Sequence, residues 1–274
     1  MVNRLSIDRR TQVVSALVEG NSIRSIERMT GIHRDTVMRL GFEVGKGCHQ
    51  LMHEKMRNLQ CERIECDEIW SYVRKKQNQL KPGESIRAGD FWTFVAIDPQ
   101  TKLVPVYLTG KRTLENATMF MRDLARRVDN RVQISTDGLP SYIRAVEDAF
   151  GSNVDYGQVV KFYDAEPTGP GRYAPPKVSK VEKEAIWGNP DMHTLGTSIV
   201  ERQNHNMRMS MRRFTRLTNG FSKKLDNLKA AVALHFAHYN MVRIHRTLRV
   251  TPAMAAGVSD RLWTLTELVE QTSK

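Results

Sequence analysis

The chain has 274 residues, 40% hydrophobic and 26% charged, with a mean hydropathy of −0.47. This is a globular composition, neither disordered nor fibrous, and no run of roughly 18 or more apolar residues is present to span a bilayer. Forty-two Lys and Arg against 30 Asp and Glu give a net charge of +12 and a pI near 9.8. That balance points to a polyanionic partner, nucleic acid first, with a merely basic enzyme as the plainer alternative. Eleven of the basic residues and only two acidic ones fall between Glu201 and Val250. The length suits one core of about 150–200 residues with a small appendage. The N-terminus lacks the apolar stretch of a signal peptide, which predicts a cytoplasmic location, nucleoid-associated if the partner is DNA. Cys48, Cys61 and Cys66 are odd in number and match no CxxC spacing. They read as reduced thiols rather than, with His49 and His53, a zinc site.

The first forty residues predict three short helices. Val13, Val14, Ala16 and Leu17 form one apolar face, and Gly20-Asn21 stops that helix. Ser22 caps a second helix carrying Ile23, Ile26 and Met29, and Thr30-Gly31-Ile32 turns the chain into a third, with Val37 and Leu40. Two short helices about a glycine turn are the helix-turn-helix pattern, whose second helix enters the major groove. Arg34, Thr36 and Arg39 on that helix are then candidate DNA contacts, the alternative being a small bundle with no DNA role. Glu27 stands where many such motifs have a small residue, so it must point outward. Residues 1–45 are read as this domain and residues 46–61 as a linker running into a short helix, because Gly41, Gly45 and Gly47 break the periodicity.

From residue 62 the texture changes. Residues 63–74 alternate and are rich in Ile, Trp, Tyr and Val, which predicts a strand. Strands at 91–97 and 103–108 flank an Asp98-Pro99-Gln100-Thr101 turn. A helix bearing Ala117, Phe120 and Leu124 follows, then a strand at 132–135 and a helix at 139–150. Residues 159–163 suggest a fifth strand, residues 166–176 a Pro/Gly-rich loop, and residues 178–190 carry no assignment. Long helices are predicted at 198–213 and 223–243, separated by Thr218-Asn219-Gly220, with short helices after Pro252 and beyond Leu262. This order predicts an α/β fold with a mixed five-stranded sheet and flanking helices over residues 62–257, an insertion at about 164–195, and a helical tail at 258–274.

Three carboxylates stand out by placement. Asp67 lies in the first strand, Asp137 follows the fourth, and Glu201 sits in the first turn of a long helix. Each also has a plainer explanation. Asp137-Gly138 is ordinary turn chemistry, and Ser198-x-x-Glu201 is the spacing of a capping box. Asp67 in an apolar strand needs a partner, and Glu65 and Glu68 are its rivals because a one-residue shift exchanges faces. Convergent carboxylates repel unless a cation lies among them. Hard oxygen ligands select Mg²⁺ or Mn²⁺, and two ions suit in-line displacement at phosphorus.

In this order the acids resemble the ribonuclease-H-like core of DDE transposases and retroviral-type integrases. Asp67-Glu68-Ile69-Trp70, Thr136-Asp137-Gly138 with Pro140-x-Tyr142, and Glu201-Arg202-x-Asn204 are similar to the insertion-sequence-one transposases in particular. Tyr239-Asn240-x-x-Arg243-x-His245-x-x-Leu248-x-x-Thr251-Pro252-Ala253 resembles the closing signature of integrase-type cores. The resemblance covers about residues 60–257 and implies that Asp67, Asp137 and Glu201 are a metal-binding catalytic triad. It implies a transposase that cuts at the ends of a mobile element and joins the 3′ ends to target DNA by transesterification, with at least a dimer on DNA. A non-catalytic DNA-binding regulator, a decayed transposase and a structure-selective nuclease are the alternatives. Many relatives open with a cysteine zinc finger, whereas the first 40 residues here contain no cysteine. The 63 residues between Asp137 and Glu201 exceed the spacing of compact relatives.

Arg202, Arg208, Arg212 and Arg213 follow the third acid and are candidate phosphate contacts beside the scissile bond, or else a solvated helix face; Arg216, Lys223 and Lys224 extend the basic run. His205 is one turn beyond Glu201 and a candidate to order water there, while His235, His238 and His245 read as core or surface histidines. Trp70 reads as core rather than as a platform for bases.

Overall fold

Local sequence places most helix boundaries. In a computed structural model that describes residues 4–164, 177–215 and 219–273, α1 (Ile7–Val18) begins at Ser6, whose hydroxyl accepts from the Arg9 N–H. α2 (Ile23–Thr30) begins at Ser22, which caps the Ser25 N–H at 3.1 Å, and ends at Gly31 in the left-handed conformation. Glu27 is turned to use: its carboxylate accepts from the Arg34 N–H at 2.9 Å, in the first turn of α3 (Arg34–Lys55).

The stretch read as a linker is helix as far as Lys55. Its glycines serve close approach rather than flexibility. A Cβ on Gly45 would lie 2.2 Å from the Ala230 carbonyl oxygen, and one on Gly47 2.2 Å from that of Thr272. Side chains there would hold α3 away from the helices it packs on. Arg127, buried on the other side, donates to the Met52 and Met56 carbonyls at the end of α3 and pairs with Asp123.

Among the described residues the sheet has six strands, not five, in the order β3-β2-β1-β4-β5-β6. β1 (Arg63–Val73), β2 (Gly89–Ile97) and β3 (Val106–Gly110) are antiparallel neighbours, whereas β4 (Val132–Asp137) runs parallel to β1 and β5 (Val154–Tyr163) parallel to β4. The sixth strand, β6 (Val178–Trp187), pairs antiparallel with β5. Its Lys/Glu-rich sequence lies exposed along the sheet edge, so it lacks the inward apolar alternation that marks strands in sequence. Within the segment expected to be an irregular insertion, residues 178–187 are therefore a sheet strand; residues 166–176 of the expected loop lie outside the described residues.

α4 (Leu114–Ala125) and α5 (Pro140–Phe150) cover one face of the sheet, packing on Ile64, Cys66, Phe94 and Ile134. α6 (Ser198–Ser210) and α7 (Leu225–Met241) cover the other, with Ile69, Val73, Phe91 and Val95. α7 is buried on two faces: Leu228, Val232 and Phe236 face the sheet, and Ala233, Leu234 and Ala237 face the core shared with α3. α8 (Pro252–Ala255) and α9 (Leu265–Thr272) close the chain. The closing signature is structural here. The Asn240 amide exchanges two hydrogen bonds with the Val104 backbone, and the Tyr239 hydroxyl donates to the Lys102 carbonyl, fixing α7 to the β2–β3 connection. Cys48, Cys61 and Cys66 are free and buried, and burial pushes the Cys48 and Cys61 thiols up to about 12. No helix is long and apolar enough to cross a membrane, among the described residues.

Candidate active site

The site forms where β1 outruns β4. Their parallel pairing ends at Cys66↔Thr136, one residue before Asp67 and Asp137. Beyond that point β1 continues antiparallel to β2, so the side chains of residues 67 and 68 lie beside the open end of β4. Successive strand residues point to opposite faces, and the two acids find different partners. Asp67 faces α6, where the Asn204 amide donates to its Oδ2 at 2.9 Å. Glu68 faces α5 and the start of α4, accepting from Tyr142 Oη at 3.1 Å and Arg112 Nε at 2.5 Å. Asp137 accepts the Leu139 N–H at 3.1 Å, so the turn chemistry read from Asp137-Gly138 is present alongside its place in the cluster. Arg112 also lies 3.7 Å from Asp137.

Asp67, Glu68 and Asp137 each offer a carboxylate oxygen within 4.8 Å of the other two. Burial first, and then neighbouring negative charge, raise all three: Asp67 to about 6, Glu68 to about 7, and Asp137 above its ordinary range. Held this close, three hard oxygen donors with disfavoured charge fit a divalent cation. Glu201 stands beside them rather than within the cluster. Its negative charge raises both Asp67 and Asp137, while its own carboxylate accepts from Lys161 Nζ and, at 2.6 Å, from the Thr197 hydroxyl.

The capping box read at Ser198 does not form. α6 has Thr197 at its N-cap, and that side chain bonds Glu201 instead of a first-turn N–H. Glu65 supplies the cap from across the fold: its Oε2 accepts from the Ile199 N–H at 2.7 Å and the Val200 N–H at 3.0 Å. Glu65 is buried, and burial raises its carboxyl despite those two bonds. Three acids of one strand segment thus have three jobs: Glu65 anchors the helix, Asp67 faces it, and Glu68 faces away. Sequence reasoning placed Glu65 only as a rival to Asp67, because its partners are backbone groups about 134 residues distant. Arg112 and Lys161 carry no local signal as neighbours of the acids, whereas Tyr142 and Asn204 stand in the motifs of Asp137 and Glu201 but bond Glu68 and Asp67.

The candidate DNA contacts fall on α3 and on α6 with the turn beyond it. Arg34 and Arg39 are exposed on α3, and Thr36 is partly so. Arg202 and His205 are exposed on α6, Arg212 is exposed just beyond it, and Arg208 is partly buried. Arg213 differs: burial lowers its guanidinium, which donates to the Ser222 hydroxyl at 2.7 Å and so braces the loop before α7. Arg216 and Thr218 lie outside the described residues. His235 is buried on α7, and burial lowers it to about 3.

Residues 85–164, from β2 through β5, match a family model described as a DDE domain, DDE_Tnp_IS240. The match includes Asp137 and lies between Asp67 and Glu201. Among solved structures, a piggyBac transposase synaptic complex with hairpin DNA is similar over 97% of this chain and 69% of that one, at 11% identity and a TM-score of 0.47. A Mos1 transposase paired-end complex with left transposon end is similar over 57% of this chain and 60% of that one, at 16% identity and a TM-score of 0.23. A Mos1 strand transfer complex is similar over 85% and 78%, at 14% identity and a TM-score of 0.25. No curated protein matches the chain. The DDE-domain match over residues 85–164 takes in β4 and Asp137, one of the acids that β1 and β4 bring together.

Proposed function

We propose that this chain cleaves DNA at the ends of a mobile element of the insertion-sequence-one type and joins the freed 3′ ends to target DNA. The observation that carries the reading is the convergence of Asp67 and Asp137 at the end of β4, with Glu201 electrostatically linked to both. Asp67, Asp137 and Glu201 are the proposed holders of two Mg²⁺ or Mn²⁺ ions. When bound, such ions activate a water or 3′-hydroxyl and stabilise the leaving oxygen in an in-line displacement at phosphorus. Asn204 orients Asp67 through its amide, and Glu65 holds the first turn of α6 so that Glu201 faces the site. Lys161 neutralises Glu201 in the metal-free protein and moves to a DNA phosphate when that carboxylate is needed as a ligand. Glu68, held by Tyr142 and Arg112, fixes the guanidinium beside Asp137 where a phosphate oxygen would approach.

Residues 1–45 serve as the DNA-reading unit, with Arg34, Thr36 and Arg39 toward the groove and the rest of α3 as a rigid connection to the core. Residues 62–257 are the catalytic unit and 258–274 its tail. Arg202, Arg208 and Arg212 approach phosphates near the cut. Handling two element ends calls for at least a dimer on DNA. The test is strand transfer with DNA ends from the flanks of the gene, in Mg²⁺ or Mn²⁺, comparing wild type with Asp137→Ala while binding is followed in parallel. Joining lost with binding kept supports the reading. Nicking without joining indicates a nuclease, and binding with neither activity a regulator.

A further inference from the structure

We infer that Trp70, Tyr72 and Phe221 form a shelf on which an unpaired base of the DNA strand stacks beside the acidic cluster, an inference that rests on the DNA reading above. The three rings follow one another: Trp70 to Tyr72 at 5.6 Å between centroids, tilted by 35°, and Tyr72 to Phe221 at 5.1 Å, stacked at 27°. All three are partly exposed and belong to neither core cluster, which corrects the expectation that Trp70 is core.

Their place on β1 explains this. Residues 64, 66, 68, 70 and 72 share one face. Ile64 and Cys66 are sealed beneath α4 and α5, and opposite Glu68 the ring of Phe94 packs on Phe120 and Tyr142. Past that point the helical cover thins: Trp92, opposite Trp70, still touches the core, and Tyr72 lies opposite Asp90. Trp70 and Tyr72 are therefore one and two same-face steps from Glu68, each step about 7 Å.

The charges around the shelf suit a nucleic-acid strand. Lys76 holds its ammonium 5.8 Å from the Trp70 ring centre, and the partly exposed Arg112 lies at the acidic end, on Glu68 and near Asp137. The loop that carries Phe221 has anchors besides the aromatic contacts. Ser222 already accepts the Arg74 N–H at 2.9 Å and the Arg213 guanidinium at 2.7 Å. Paired bases in a duplex show no free face, whereas an unpaired base next to a cut does, and aromatic stacking of such a base is tolerant of its identity.

The test compares binding of the full chain, in EDTA, to a blunt duplex and to the same duplex with a short single-stranded thymine overhang. Wild type is expected to prefer the overhang by about fivefold or more, the scale of one stacked base. Trp70→Ala and Tyr72→Ala bring that ratio close to one, and Trp70→Phe keeps it. Equal binding of the two DNAs by wild type, or an unchanged ratio in the alanine variants, overturns the shelf and leaves the transposase reading standing. Failure to bind either DNA overturns both. If the alanine variants do not fold, tryptophan fluorescence of wild type and Trp70→Phe decides. Quenching by the overhang DNA that is absent in Trp70→Phe supports the shelf, and quenching that persists there refutes it.

Discussion

Replacing Glu65 separates its role as a helix anchor from that of an active-site acid. Its Oε2 accepts the Ile199 and Val200 N–H groups at 2.7 and 3.0 Å, and Thr197, at the N-cap, offers α6 no side-chain cap. Glu65→Ala leaves one buried and one partly buried donor without partners, each costing about 1–3 kcal/mol, partly offset because a buried carboxyl with a raised pKa is lost as well. The net cost is about 2–4 kcal/mol, or a fall in Tm of roughly 5–15 °C for a chain of this size. Glu65→Gln keeps an acceptor oxygen in the same place, and since burial already disfavours the charge, its cost stays within about 1 kcal/mol. Glu201 lies in the turn that Glu65 anchors, and a displacement of about 1 Å there costs on the order of 100-fold in rate. The assay is thermal denaturation of wild type, Gln and Ala variants, with strand transfer measured well below each Tm. Equal stability and activity of the Ala and Gln variants would refute the argument.

Three further outcomes are expected. Gly45→Ala removes a helical glycine, ordinarily a gain of about 1 kcal/mol, yet its Cβ meets the Ala230 backbone oxygen at 2.2 Å. Overpacking at about 1–3 kcal/mol or more wins, and a Tm equal to or above wild type would show that α3 and α7 separate freely. The raised carboxyls of Asp67 and Glu68 stabilise the metal-free fold fully below about pH 4, and that contribution is lost as pH rises through about 6–7, with Asp137 shifted in the same direction. Mg²⁺ should therefore raise Tm more at pH 8 than at pH 5 in wild type and less in Asp67→Asn; a pH-independent Mg²⁺ effect counts against a metal at these acids. Arg34→Ala and Arg39→Ala each remove an exposed cation of α3 and should each reduce the log–log salt slope of duplex binding by about 0.9 if that residue meets a phosphate. An unchanged slope in both variants removes α3 from the interface.

Much of this protein is legible in its sequence because the deciding physics is local. Ser22 and Gly31 bound α2, the alternation of β1 predicts a strand, and Pro140 opens α5, each through capping, pleat or backbone preference within a few residues. The order Asp67, Asp137, Glu201 carried the family resemblance on motifs of three to four residues. What lay beyond reach depends on partners far along the chain. The glycines of α3 look like a loose linker until Ala230 and Thr272 are seen against them. β6 shows no strand pattern because it is exposed at an edge, so its pairing with β5, rather than its side chains, makes it a strand. Glu65, Asp67 and Glu68 are indistinguishable as neighbouring acids in sequence. Only the end of β4 and the first turn of α6 decide which one caps a helix, which faces it and which grips Arg112, because side-chain direction on a strand acquires meaning from what packs against each face.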